Sequence, residues 1–494
     1  MTRVILWGAK FLLWAGLFGF ALLLVWAFDS RNMPPLEVWH TASLSSEFTA
    51  ADATPHSTLS EYLDREARQF RELEEQVYDR VESSGATTFN RYRAGGPQDP
   101  ARAGRNWNRT FELVPENIRG GALLLHGLTD SPYSMRRIGE ILHQRGFYVL
   151  GLRLPAHGTI PGALTEVHWE DWVAASRIGA RHVRERIGPE RPFVIAGYSN
   201  GGGLAVKYAL DALSDPDLPP PERLLLFSPE IGIEPLAAIA DSYKVLGFIP
   251  YFAQFKWLSI EPEYDPYKYN SFPKNAGQEA WEVTDAIRRG VDEARRAGLF
   301  ADFPPVLTFL SWIDATVETS ATIQDLYGQL ENEGSELVVF DVNRLDQFLS
   351  FIPAGKEAPL QRLETREDLP YRLTVVTNRE EGSERMVQRT RAPRAKTIES
   401  TPLSLSWPGG VYSLAHVAIP FPPDDPVYGA AGKPEGSYHG LPLGALAPRG
   451  ETHLLTAPVG QLMRLRHNPF FDYLARRVTA AVDDDLYRSG GTGP

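Results

Sequence analysis

Ala196-Gly197-Tyr198-Ser199-Asn200-Gly201-Gly202 is the stretch on which the reading of this chain turns. It follows an apolar, β-like run, Phe193-Val194-Ile195-Ala196, and precedes a helix-like run, Leu204-Ala205-Val206-Lys207-Tyr208-Ala209-Leu210. A serine in the pattern G-x-S-x-G at a strand-to-helix turn forms a nucleophile elbow. Such a turn is too tight for side chains at Gly197 and Gly201. It leaves the serine hydroxyl exposed at the carboxyl end of the strand. There the free N–H groups of a helix N-terminus favour a developing negative charge. In a chain with 42 glycines the pattern alone is weak, and its surroundings decide.

Working outward, short apolar runs alternate with helical ones from Phe111 onward. Strands are expected at 122–125, 147–152, 193–196, 223–228, 306–312 and 336–340. Helices are expected at 134–145 and 166–187, after the elbow, and at 462–482. This alternation predicts an α/β fold whose mostly parallel sheet carries helices on both faces. Two stretches interrupt it. Residues 230–305 hold nine aromatics from Phe248 through Phe272, several prolines and a helix near 279–297. They are expected as a cap or lid over the sheet's carboxyl edge, with much of the aromatic material serving as the insertion's own core. Residues 341–403 form a second insertion, with a strand-like Leu373-Thr374-Val375-Val376 and a basic run from Arg385 to Lys396 that reads as a solvated loop.

Acyl transfer needs a nucleophile, a base to take its proton, a carboxylate to orient the base, and donors for the oxyanion. On this kind of sheet the order along the chain is Ser, then Asp or Glu, then His. Asp314, just beyond Val306-Leu307-Thr308-Phe309-Leu310-Ser311-Trp312-Ile313, fits the acid; Asp341, after the strand at 336–340, is the alternative. His416 fits the base, inside the apolar loop Tyr412-Ser413-Leu414-Ala415-His416-Val417-Ala418. His439 and His453 are alternatives in Gly/Pro-rich surroundings. His126 and His157 precede the serine and read as structural or oxyanion-loop residues.

Three segments then carry a family resemblance: Leu123-Leu124-Leu125-His126-Gly127-Leu128, Leu154-Pro155-Ala156-His157-Gly158 and Gly197-Tyr198-Ser199-Asn200-Gly201-Gly202. The chain resembles an α/β-hydrolase of the monoglyceride lipase, carboxylesterase and serine-aminopeptidase group, with residues 111–320 and 403–482 matching in order and character. The resemblance implies an α/β-hydrolase fold with Ser199 as nucleophile, Asp314 as acid and His416 as base. It implies oxyanion donors from the backbone N–H groups of Leu128 and Asn200, and a cap at 230–305. The interval between acid and base is longer than usual for the group because of the second insertion.

The N-terminus carries the other clear signal. Residues 11–28 contain no charge and are rich in Leu, Phe, Trp and Ala. Eighteen helical residues span about 27 Å, close to the hydrocarbon thickness of a bilayer. Residues 4–28 are therefore expected as a transmembrane signal-anchor. Arg3 and Lys10 on one side and Asp29, Arg31 and Glu37 on the other place the N-terminus in the cytoplasm and the large domain outside, periplasmic in a bacterium. Residues 29–110 are expected as an irregular stalk, running through 30–57, followed by an amphipathic helix over 58–81. The hydrolase core is expected at 111–229 and 306–482.

A net charge of −12 argues against nucleic acid as a partner. The absence of cysteine excludes disulfides, thiolate catalysis and zinc-thiolate sites. The expectation is a membrane-anchored serine hydrolase of carboxylic, acyl or lipid-like esters, using no metal or organic cofactor. A serine aminopeptidase or acyltransferase on the same fold, or a non-catalytic membrane-tethered binding protein, are the competing readings; for the aminopeptidase, Glu230, Glu234, Glu261, Glu263 and Asp265 are the carboxylates available to hold a substrate ammonium. The sequence does not specify an oligomeric state.

Overall fold

The computed structural model describes residues 2–84, 88–233, 249–314, 316–349, 358–430, 441, 443–445 and 459–489. Its first element is an apolar helix, α1 (Thr2–Asp29). The stretch Leu13–Asn32 is, among the described residues, the one helical span long and apolar enough to cross a membrane. Phe11, Trp14 and Phe18 on this helix are exposed.

The stalk expected next is irregular, as its composition suggests, but it does not stand off the body. Trp39, His40 and Phe48 are buried, and Glu47 pairs with Arg153 at 2.9 Å. Apolar residues spaced this sparsely show no period, so their burial leaves no pattern to read. Helix α2 (Leu59–Leu73) is closed by a capping box: Thr58 Oγ1 accepts from the Glu61 amide, and the Glu61 carboxylate accepts from the Thr58 amide. The helical path continues through one π turn, Glu74–Tyr78, into Asp79–Ser84.

The body is built on a sheet whose strands are β1 (Phe111–Leu113), β2 (Gly120–Leu125), β3 (Phe147–Leu152), β4 (Phe193–Tyr198) and β5 (Arg223–Phe227). Helix α3 (Arg136–Gln144) joins β2 to β3, α4 (Trp169–Ile187) joins β3 to β4, and α5 (Asn200–Ala212) joins β4 to β5. A short separate ribbon, β6 (Trp257–Ser259) with β7 (Phe272–Pro273), precedes the long helix α6 (Lys274–Arg296). The sheet resumes with β8 (Val306–Ser311), β9 (Glu336–Phe340), β10 (Arg372–Asn378), β11 (Arg385–Arg391) and β12 (Glu399–Ser406). Helix α7 (Phe471–Arg488) follows.

The strand order is β1-β3-β2-β4-β5-β8-β9-β10-β11-β12. From β3 to β10 every neighbour is parallel, while β1 and the pairs β10–β11 and β11–β12 are antiparallel. Alternation sorts the side chains onto two faces. Leu123, Leu125, Leu150 and Leu152 share a cluster with Trp172, Ala175, Leu204 and Ile287 of α4, α5 and α6. Ala122, Leu124, Phe147 and Val149 share the opposite cluster with Ile138 and Leu142 of α3 and Leu474 and Val478 of α7. The mostly parallel, doubly covered sheet expected from the sequence is present.

Two expectations within the insertions need correction. The basic run at 385–396 is not a solvated loop, because Arg385–Arg391 is β11 and Met386 is buried in the core. Its charge masked its strand character: Arg389 meets Glu364 at 2.9 Å and so contributes a paired guanidinium. The stretch 230–305 is not all cap. Residues 234–248 lie outside the described residues, 249–273 run beside the cavity described below, and α6 packs along α5 on the sheet's face. Phe252, Phe255, Trp257, Tyr264, Tyr267 and Tyr269 are buried, so most of this aromatic run is core.

Candidate active site

Ser199 occupies the sharp turn between β4 and α5 with φ 55° and ψ −121°. A non-glycine residue held there stores about 1–3 kcal/mol of strain, so the surroundings must hold it in place. The Ser199 amide donates to Phe227 O at 3.0 Å, and Ser199 O accepts from the amides of Gly202 at 2.8 Å and Glu230 at 2.9 Å. A Cβ at Gly201 would lie 2.2 Å from Leu125 O, which explains the small residue there. Among the described residues, four of the five non-glycine residues with positive φ lie just past strand ends: Thr129, Ala156, Ser199 and Ser228. Backbone strain is thus concentrated along the carboxyl edge of β2, β3, β4 and β5.

Asp314 lies three residues beyond β8. It accepts from the Thr316 amide at 2.8 Å and the Val317 amide at 3.1 Å through Oδ1. Its Oδ2 is 2.8 Å from His416 Nδ1, and both side chains are almost completely buried. An ionised carboxylate can only accept, so Nδ1 carries a proton, and in the neutral ring Nε2 is then the acceptor. Burial pushes the Asp314 carboxyl up, but the His416 contact and the two amides outweigh it and hold the group below its ordinary value. Asp341, the alternative acid, is instead occupied by Arg344 Nε at 2.7 Å and Thr377 Oγ1 at 2.7 Å. His439 and His453 fall outside the described residues.

Ser199 and His416 line one cavity of about 890 Å³, within the usual range for small-molecule sites. Leu128 and Thr129 line it too. Gly127 is pressed against Ser199: a Cβ there would be 3.1 Å from Ser199 Cβ. The Asn200 amide opens α5, where it has no partner within the helix. The Leu128 amide makes no backbone hydrogen bond among the described residues.

His126 and His157 are fully buried behind this loop, their rings 4.9 Å apart. His126 Nε2 accepts from the Leu154 amide at 3.0 Å, so its Nδ1–H donates to Gly127 O at 2.9 Å. Burial pushes the His126 ring well below the ordinary imidazole value and His157 to about 4. His126 is therefore a neutral brace between the turn that carries Leu128 and the loop after β3, while neutral His157 donates from Nδ1–H to Pro155 O at 2.8 Å and packs against the His126 ring.

Sequence alone does not say which of the carboxylates Glu230, Glu234, Glu261, Glu263 and Asp265 reaches the cavity. Glu230, two residues past Ser228, lines it and is 7% exposed. Burial, reinforced by the charge of Asp314, pushes its carboxyl up to about 7. Of the carboxylates considered from sequence as anchors for a substrate amine, Glu234 is outside the described residues. Glu261, Glu263 and Asp265 do not line the cavity. Asp130 lines it and lies 3.7 Å from Lys268. A glutamate after a strand-end proline has no periodic signature, and only the closed fold brings it beside the serine.

A model of the alpha/beta hydrolase family matches residues 122–399. A thermostable monoacylglycerol lipase of Bacillus sp. (strain H-257) is 34% identical over 94 residues, which are 19% of this chain and 36% of that protein. The chain thus spans only about a third of that relative's length. Among solved structures, one of the metagenome-derived lipolytic enzymes LipS and LipT is 21% identical, with a TM-score of 0.38 over 53% of this chain and 98% of its own. The monoacylglycerol lipase of Paleococcus ferrophilus is 20% identical, with a TM-score of 0.34 over 47% of this chain and 88% of its own. A soluble variant of the Saccharomyces cerevisiae monoglyceride lipase, bound to a substrate analog, is 15% identical, with a TM-score of 0.33 over 47% and 82%.

Proposed function

The chain belongs to the alpha/beta hydrolase family, and from that premise we propose that it is a membrane-anchored serine hydrolase of carboxylic esters that bear an acyl chain. The observation that carries this reading is the Asp314–His416 pair at 2.8 Å, with the His416 ring in the same cavity as Ser199.

In the proposed reaction His416 Nε2 takes the Ser199 proton as Oγ attacks the ester carbonyl. The tetrahedral oxyanion is held by the amides of Leu128 and Asn200. Collapse breaks the C–O bond to the alcohol, which leaves with the proton from His416, and an acyl-serine remains. Water then enters, His416 takes one of its protons, and the acid departs as Ser199 regains its hydrogen. Asp314 keeps the ring in the Nδ1–H tautomer and stabilises the imidazolium that forms twice per cycle. Apolar α1 would tether the body to the membrane, with the N-terminus on the cytoplasmic side.

The test is hydrolysis of p-nitrophenyl butyrate by the full chain and by Ser199→Ala. Turnover should be lost in the variant while its melting temperature stays within a few degrees; an equally active variant would refute the assignment.

One observation favours a second substrate class. Glu230 places a carboxyl in the cavity lining, where a substrate ammonium would favour its ionised form and pair with it, as an aminopeptidase would require. Faster hydrolysis of aminoacyl-nitroanilides than of p-nitrophenyl butyrate, lost on Glu230→Gln, would select that reading.

A further inference from the structure

The cavity that holds Ser199 is not built by the hydrolase body alone. Trp26, near the end of α1, is among its lining residues. The end of that helix is docked rather than loose. Ala27 is wholly buried and clusters with Phe252 and Phe255. Phe28 meets Phe252 edge-on with ring centroids 5.3 Å apart, and the Arg31 guanidinium lies 4.0 Å over the Tyr251 ring. The Gln254 side-chain Nε2 donates to Met33 O at 3.2 Å and Pro34 O at 3.1 Å. The contacts therefore run on both sides of the point where the apolar stretch ends.

The depth of this junction follows from charge. Asp29 and Arg31 end the uncharged stretch of α1 and belong in water. Trp26, three residues before Asp29, then falls about 4–5 Å deeper along the axis. That is the level at which indole rings settle between headgroups and acyl chains. Two apolar residues of the cavity lining, Trp26 and Leu258, are 55% and 60% exposed. Tyr251, beside Phe28, is 52% exposed. Large apolar side chains left uncovered at a substrate entrance suit a mouth that faces lipid.

We propose that α1 is a wall of the entrance as well as a tether. It holds the cavity mouth at the bilayer surface, and the substrate is an acyl ester resident in that leaflet, which reaches Ser199 without passing through bulk water. This rests on Ser199 being the nucleophile of an esterase. It adds what the triad alone does not require: a fixed geometry between the membrane helix and the cavity.

The experiment uses the full chain reconstituted in phosphatidylcholine vesicles doped with monooleoylglycerol, with p-nitrophenyl butyrate as the soluble comparison. Phe28→Ala combined with Phe252→Ala loosens the docked helix without altering a lining residue. Turnover of the vesicle-borne ester should fall about tenfold or more, while that of the soluble ester stays within about twofold. Equal losses on both substrates, or no loss on either, would overturn the proposal.

A second measurement needs no catalysis. The chain has no cysteine, so Tyr251→Cys and Ile398→Cys can each carry a single fluorophore. Nitroxide-labelled lipid should quench the probe at 251 and spare the one at 398, which lies before β12. Absence of quenching at 251, or equal quenching at both sites, would overturn the placement. A wild-type chain that hydrolyses neither ester would instead refute the esterase reading, with the quenching result still deciding where the mouth lies.

Discussion

Asp314 and Asp341 follow adjacent strands of one sheet, and their partners separate them. The first faces His416 and two amides; the second is consumed by Arg344 and Thr377. Asp314→Asn should therefore lower kcat by about 10⁴-fold with the fold retained, through the wrong histidine tautomer. Asp341→Asn should leave kcat within a few-fold and lower the urea midpoint, because Arg344 would lose its buried counter-charge. Steady-state kinetics and urea unfolding on the two variants check both outcomes.

Glu230 gives a prediction with a definite sign. Its folded-state pKa of about 7 lies above the unfolded value of 4.5. Between these values the native state holds more protons than the unfolded chain, so stability falls as pH rises through the window. Glu230→Gln removes that penalty. The variant should gain on the wild type between about pH 4.5 and 7, reaching up to about 3 kcal/mol above it. Glu263, also pushed up to about 7 by burial, slopes the same way in both proteins and cancels in the difference. Denaturant titrations at pH 4.5 and 8 measure it. The Ser199 turn was legible because its strand, glycines and helix are contiguous; Glu230 could be named only as one of several carboxylates, because choosing among them depends on a cavity assembled from distant segments.

At the scale of elements, the strands of the parallel core were readable because each is a short apolar run bounded by turn residues. β11 was not, since it alternates basic residues with a small number of apolar ones at a sheet margin. The N-terminal segment was misjudged for a related reason. Its anchoring is ionic and convergent: Arg153, at the end of β3, meets Glu47 at 2.9 Å and Glu66 of α2 at 3.3 Å, and donates to Gln69 and His157. No period along a chain reports three distant carboxyl and amide groups gathering on one guanidinium. Arg153→Met should cost about 3–5 kcal/mol by leaving the buried Glu66 and the partly buried Glu47 without their cation. Urea unfolding of the variant checks this, and a loss below about 1 kcal/mol would mean that the segment is held by its apolar contacts instead.

For the whole molecule, the sheet does two things at once. Its parallel centre sets the Ser199 turn, the loop after β2 and the Asp314 loop along one edge, while the 341–403 insertion widens the far side without separating Asp314 from His416. The long sequence interval between acid and base therefore costs no distance in space. The pairing of Asp314 with His416 beside Ser199 could be expected from their order in the sequence; the docking of α1 on the cavity could not, because hydropathy reports that a helix suits lipid and says nothing of what its last turn touches. The central claim is that Ser199 is a nucleophile activated by His416 and Asp314. A fluorophosphonate probe, followed by peptide mass mapping, tests it most directly. The account predicts one adduct, on Ser199, whose formation slows about 10³-fold or more in His416→Ala. Folded protein that takes up no probe, or takes it up at Ser199 equally fast without the histidine, would contradict it.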